Sequence, residues 1–184
     1  PPDLDRRIAA AERAAAATFP SAEEEVWRYS RIGELDLSAF IPGRAITTVD
    51  APEGVHVVQG AELGDRADDA DAVDLFHELN RAFMDAVVVS VPRGRAIEQP
   101  VVITHRLDAA GVAVFPRLII DAAENSEITV VEQFVSPDGL VALCVPRLEA
   151  DVAAAGRLKY LGVNMLGSPT RHLAHQQAIG PRDC

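Results

Sequence analysis

After residue 85 the chain breaks into short apolar runs separated by turn signals, and this rhythm limits the fold more than any other feature. The runs occupy residues 86–91, 101–104, 112–115, 118–120, 128–131 and 140–145. Between them lie Pro92-Arg93-Gly94, Gln99-Pro100, the segment 108–111, Asn125-Ser126 and Pro137-Asp138-Gly139. That punctuation comes close to the roughly 8 to 12 residue spacing of all-β architectures, which leaves a sandwich, a barrel or a β-helix open. From Leu148 through Ala150, Val152, Ala154, Leu158, Tyr160, Gly162, Asn164 and Leu166 a period of two continues with few turn residues, which suits long strands or stacked coils. The apolar-polar segment 172–179 then runs to the end without a closing helix or a charged edge. A stacked sheet needs a cap, so the sequence reads as a fragment of a longer stack.

The first half is written differently. Leu4, Ile8, Ala11, Ala15 and Phe19 fall at helical spacing, predicting an Ala-rich amphipathic helix over residues 3–19 that Pro20 stops. Ser21 precedes Glu24 by three residues, a capping-box pattern that predicts a short second helix through Trp27 ending by Gly33. Residues 41–70 are rich in Pro, Gly and Asp and read as a largely irregular connection with one strand at 55–58. A third helix is predicted over 71–85, with Val73, Phe76, Leu79 and Phe83 on one face and Asp71 and Asp74 in its first turn. The expected organisation is an N-terminal helical region with an acidic loop over 1–85, followed by a β region over 86–184.

Charge follows this division. Residues 1–84 carry 8 basic and 17 acidic side chains, residues 85–184 carry 9 and 11, and the whole chain has a formal net charge of -11. That sign opposes binding to a phosphate backbone, so no nucleic-acid partner is expected. No run approaches the length of a membrane helix, so no membrane partner is expected either. Two cysteines and no basic-then-apolar leader fit a reducing cytoplasm.

Chemistry-bearing motifs are sparse. There is neither a GxGxxG nor a GxxxxGK[ST] pattern, and the single lysine, Lys159, lies in a strand-like segment. Ser90, Ser126 and Ser168 have no neighbouring sequence that marks a nucleophile. Among His56, His77, His105, His172 and His175, only the last two have a metal-like spacing, and on a strand an i, i+3 pair points to opposite faces. Cys144 sits in an apolar run, where a thiol behaves as a small hydrophobe, and Cys184 has no third ligand near it. Glu23 to Glu25 and Asp68, Asp69 and Asp71 read as helix-start and solvated-loop charge. The acidic residues beyond Asp85 are scattered. In Trp27-Arg28-Tyr29, Trp27 is expected to pin the small helix to the core, with a recognition patch as the alternative. No catalytic, cofactor-binding or metal-ligating residue is assigned.

Taken in order, several segments resemble the SufD branch of the SufB/SufD family of iron-sulfur cluster assembly scaffolds. Glu25-Val26-Trp27-Arg28-Tyr29-Ser30 is similar to its E-x-WRY-[ST] signature. Leu79-Asn80-Arg81-Ala82-Phe83, then residues 87–94 and 97–103, resemble its LN-x-AF helix, first strand, VP-x-G turn and x-x-P-[IV] strand, although Asp85-Ala86 stands where the pattern has Asp-Gly. Pro116-Arg117-Leu118-Ile119-Ile120 and the segment ending Val130-Val131-Glu132 resemble the first coils of the family core. The resemblance implies a mainly β fold, an incomplete right-handed parallel β-helix preceded by a small α-helical region. It further implies a non-catalytic scaffold subunit of a SufBCD complex, taking part in iron-sulfur cluster assembly and iron acquisition. The partners it implies are a SufC-like ATPase, docked through a C-terminal part beyond this segment, and a SufB-like paralogue or a second copy in a homodimer. Iron or cluster would be handled by the whole complex and by residues beyond this segment, with no cofactor held here. The competing expectations are a carbohydrate-active or acyltransferase β-helix enzyme and a plain protein-interaction module.

Overall fold

The apolar runs of the second half stack into a parallel β-solenoid of three coils. The structure, a computed structural model, describes residues 2–60, 63, 74–182 and 184. The first coil consists of β4 (Asp85–Val91), β5 (Val101–Arg106) and β6 (Val112–Val114); the second of β7 (Pro116–Ala122), β8 (Glu127–Val135) and β9 (Leu143–Cys144). The third contains β10 (Arg147–Val152), β11 (Arg157–Met165) and β12 (Arg171–His172), after which β13 (His175–Ile179) opens a further turn. Equivalent strands pair in parallel, so Ala86, Arg117, Arg147 and His175 occupy one column. Val87, Leu118 and Leu148 form another, and with Val89, Ile120 and Ala150 they make the interior of the first sheet. These inward side chains are the apolar letters of the period-two pattern, each contributing about 1.5–3 kcal/mol on burial.

The connection before the solenoid is more ordered than its Pro and Gly content predicts. Besides the expected strand, found as β3 (His56–Gln59), it forms β1 (Ile41–Gly43) and β2 (Ile46–Asp50). β1 pairs in parallel with β6, while β2 and β3 pair antiparallel with β5 and β4. Residues 41–59 thus add a strand to the leading edge of all three sheets. The chain needs this because an unpaired edge is a template for aggregation. Val49 and Val57 supply the apolar side chains that close the core from that end.

Two helical expectations change. The first helix, α1, runs over Pro2–Ala16 and buries Asp3, Ala10 and Ala14, while Leu4 and Ile8 stay half exposed. Small Ala10 and Ala14 let it lie close to α2 (Leu75–Phe83), and polar arms hold it there. Arg7 Nη1 donates to the Met84 carbonyl (3.0 Å), and Arg13 Nε donates to Glu78 Oε1 (2.9 Å). The second helix does not form. Its capping box is present, with Glu24 Oε1 accepting from the Ser21 amide (2.9 Å), but residues 21–30 make successive i to i+3 turns. One partly buried side chain, Trp27, is too little of an apolar stripe to hold a helix there. Of the third helix, Asp74 is the N-cap, accepting from the His77 amide (3.1 Å); Asp71 and Val73 lie outside the described residues.

One turn recurs with the coils. Gly94, Asn125 and Ala155 hold equivalent places after β4, β7 and β10, and all have left-handed φ, from 54° to 72°. Glycine takes that conformation freely, whereas the Cβ of Ala155 makes it strained. Ala155→Gly is expected to stabilise the fold by about 0.5–1 kcal/mol in a urea titration.

Candidate functional site

Among the described residues, buried polar side chains gather in two places, one inside the solenoid and one where the helices meet it. Inside, Glu132 occupies the column Val49, Ile103, Glu132, Gly162 and is 2% exposed. Its Oε1 lies 3.0 Å from His105 Nε2, and its Oε2 accepts from the Tyr160 hydroxyl (2.6 Å). His105 Nδ1 is in turn 2.9 Å from Thr47 Oγ1. A neutral imidazole that donates through Nε2 and accepts the Thr47 hydroxyl satisfies every partner. Gly162 leaves the room this needs, because a Cβ there would meet the Tyr160 hydroxyl at 3.2 Å. Burial, with the Glu132 carboxylate beside it, raises the Tyr160 phenol, which therefore stays a donor. The same two causes raise the thiol of Cys144, buried among Leu107, Val114, Phe134 and Ala142 as its apolar run predicts.

At the second place, the motif residues of the first half converge on the outer face of the first sheet. Trp27 packs against Phe76 (ring centroids 5.5 Å), as the pinning expectation requires, while Arg28 and Tyr29 are exposed. Asn80 Nδ2 donates to the carbonyls of Pro116 (3.1 Å) and Val145 (2.8 Å), tying α2 to two successive coil corners. Phe83 packs on Phe115. Beneath them Arg117 and Arg147 stand in register, both buried, and both close on Glu149 Oε1 at 2.8 and 2.6 Å. Burial, reinforced by the guanidiniums of Arg117 and Arg81 and opposed by Glu149, brings Arg147 down to about 10, so it remains charged at neutral pH.

His77 on α2 joins this place, which its sequence context did not suggest. Its ring meets that of His175 edge-on (centroids 4.2 Å), and its Nδ1 lies 3.3 Å from Asp74 Oδ1. The HxxH pair therefore takes two sets of partners: His175 turns to His77, whereas His172 packs on Phe134 (4.8 Å) and its Nδ1 faces Asn164 Nδ2 (3.2 Å). A cavity of about 340 Å³ lies among Trp27, Phe76, His77, Asn80, Arg147 and His175. Among the described residues, no group of three or more His, Cys, Asp or Glu is arranged to hold a metal ion, and no helix is long and apolar enough to cross a membrane.

The other candidates are dispersed. Lys159 Nζ pairs with Glu127 (3.3 Å) on the surface, Cys184 is exposed, and Glu23 to Glu25 are solvated. Asp68, Asp69 and Asp71 lie outside the described residues. The acidic residues beyond Asp85 are less scattered than they read, since Asp121 and Asp151 are in register on adjacent strands with Ser90 donating to Asp121 (3.3 Å). One signal could have placed them: Pro116-Arg117-Leu118 with Asp121 recurs as Pro146-Arg147-Leu148 with Asp151, one coil later. The repeat gives both the coil length and the stacked arginines.

Burial lowers the imidazoles of His172 and His175 below their ordinary value. Both are thus held neutral in the fold while the unfolded chain takes up protons near pH 6.5, so stability is full above that pH and is lost as pH falls below it. Thermal melts from pH 7.5 to 5 should show a falling midpoint, and His172→Gln with His175→Gln should flatten that fall.

The chain matches no protein-family model, and no curated protein matches it.

Proposed function

We propose that the chain is part of a scaffold subunit of the SufB/SufD type. In this reading it is non-catalytic and works in the cytoplasm, contributing to iron-sulfur cluster assembly and iron acquisition beside a SufC-like ATPase and a SufB-like paralogue. The observation that carries the reading is the shared location of the motif residues. Trp27, Asn80, Phe83 and Arg117 come from three separate motifs of the resemblance; Asn80, Phe83 and Arg117 each make a packing or hydrogen-bonding contact between the N-terminal region and the coils, and Trp27, seated on Phe76 of α2, packs against the apolar cluster that includes Phe115 and Val145 of the coils. Motifs that resemble a family only by accident have no reason to meet at one seam. The contacts are structural, which accords with a scaffold, and a parallel solenoid suits one because it presents long strand ladders to partners.

Tagging the protein at its own locus and purifying it without oxygen tests this. An ATPase and a paralogous solenoid protein are expected to travel with it, and cells depleted of it should lose activity of iron-sulfur enzymes while keeping that of iron-free ones. Recovery of the protein alone, with iron-sulfur enzymes unaffected by depletion, would overturn the reading.

A further inference from the structure

Buried polar atoms without partners are rare in folded proteins, and each calls for a water, an ion or a ligand. Here they gather around the cavity of about 340 Å³ between α2 and the coils, which is at the small end of the range for ligand sites. His77 Nε2, Asn80 Oδ1, Arg147 Nη1, His172 Nε2 and His175 Nδ1 have no hydrogen-bond partner among the described residues, and all five side chains line that cavity. Asn80, Arg147 and His77 are 1%, 3% and 4% exposed, so packing fixes them. Trp27 and Phe76, in contact with each other, add an aromatic wall.

The hydrogen-bonding role of each atom selects the ligand. Asn80 Nδ2 donates to the carbonyls of Pro116 (3.1 Å) and Val145 (2.8 Å), so the amide cannot be turned over and Oδ1 is left as an acceptor. His77 lies one turn away on the same face of α2, with its Nδ1 3.3 Å from Asp74 Oδ1. With the proton on that side, Nε2 is a second acceptor. The coils present the opposite character. Arg147 Nη1 is always a donor, and its Nε side faces Glu149. His172 Nδ1 faces Asn164 Nδ2 (3.2 Å), which leaves the ring proton on Nε2 as a second donor. His175 Nδ1 can serve in either sense. A carboxylate would leave both acceptors of the helix unmet and set its oxygens against them, and an ammonium would leave both donors of the coils unmet. A primary carboxamide carries two N–H donors beside a carbonyl oxygen with two lone pairs, the complement of both sides.

We infer that the cavity binds an uncharged aromatic primary carboxamide, its NH2 group toward His77 and Asn80, its carbonyl toward Arg147 and His172, and its ring against Trp27 and Phe76. Such a site does not depend on the scaffold reading and would hold for a protein of another role.

Trp27 is the only tryptophan of the chain, so its indole N–H gives a single resonance that reports on the cavity. The full chain, labelled with nitrogen-15, is titrated at pH 7.5 with benzamide, acetophenone, benzoate and benzylamine. Benzamide is expected to shift that resonance saturably. Acetophenone keeps the ring and carbonyl but has a methyl in place of the NH2, and it should bind more weakly by roughly tenfold or more. Benzoate and benzylamine should be weaker by a similar factor, since each leaves buried partners unmet. His77→Phe should weaken benzamide severalfold and leave acetophenone nearly unchanged, whereas Arg147→Lys should weaken the two alike. Should either variant fail to fold, the four ligands on the wild-type chain decide alone. Equal binding of benzamide and acetophenone would make the cavity merely apolar and overturn the proposal. Tighter binding of benzoate or benzylamine would overturn the carboxamide assignment. An unchanged preference for benzamide in His77→Phe would overturn the placing of the NH2 group against α2. No saturable shift with any of the four would mean that internal water satisfies the orphaned atoms, and the site would be withdrawn.

Discussion

Glu132→Ala is expected to destabilise the protein by about 3–5 kcal/mol, close to the whole stability of a marginal domain. The side chain sits in the solenoid interior, where Val49, Ile103 and Gly162 are its neighbours along the column. Its carboxylate is the partner of buried His105 and partly buried Tyr160. Removing it strands His105, 1% exposed, and leaves the Tyr160 hydroxyl facing a void. The chain Thr47, His105, Glu132, Tyr160 takes one residue from β2 and one from each coil, so the loss loosens every layer at once. The triple variant Glu132→Leu, His105→Val, Tyr160→Phe distinguishes a polar network that stabilises from one that is merely satisfied. Replacing a buried network by apolar groups of similar volume is often neutral, so the triple should return to within about 1–2 kcal/mol of the wild type. Urea denaturation of the three proteins at pH 7.5 decides. A mild effect of Glu132→Ala would mean that water enters the core there.

The legibility of the sequence follows from which interactions are local. The β runs after residue 85 stood out because an inward row of Val, Leu and Ile is written along the chain at period two, and nothing else in the fold contradicts it. The strands β1 and β2 were missed for the opposite reason. Residues 41–50 have weak patterning of their own and take strand form because the first coil offers three unpaired edges. The face of α1 was misjudged because Leu4 and Ile8 looked like its core, whereas Ala10 and Ala14 allow the close helix contact and arginines do the holding. The cavity was least legible of all. His77, Asn80, Arg147 and His175 come from one helix and two coils, and only the thirty-residue repeat of Pro-Arg-Leu hints that Arg147 lies in register with another buried arginine.

That register sets up the second large effect. Arg117 and Arg147 are stacked cations on adjacent strands, 1% and 3% exposed, and Glu149 Oε1 lies within hydrogen-bonding distance of both. Like charges in register oppose pairing, and the carboxylate between them offsets that repulsion. Glu149→Gln keeps the shape and removes the charge, and is expected to cost about 2–4 kcal/mol, mostly as the penalty of taking away the carboxylate that both buried guanidiniums share. Glu149 is partly exposed, at 22% for its side chain, so solvent ions can reach the gap it leaves. Sulfate at moderate concentration should therefore restore more stability to Glu149→Gln than the same salt adds to the wild type, and sodium chloride should restore less. Equal gains in both proteins would show that the two arginines are neutralised by other groups. A loss that persists in Arg117→Met, Glu149→Gln would place its origin in the packing of the strand rather than in charge.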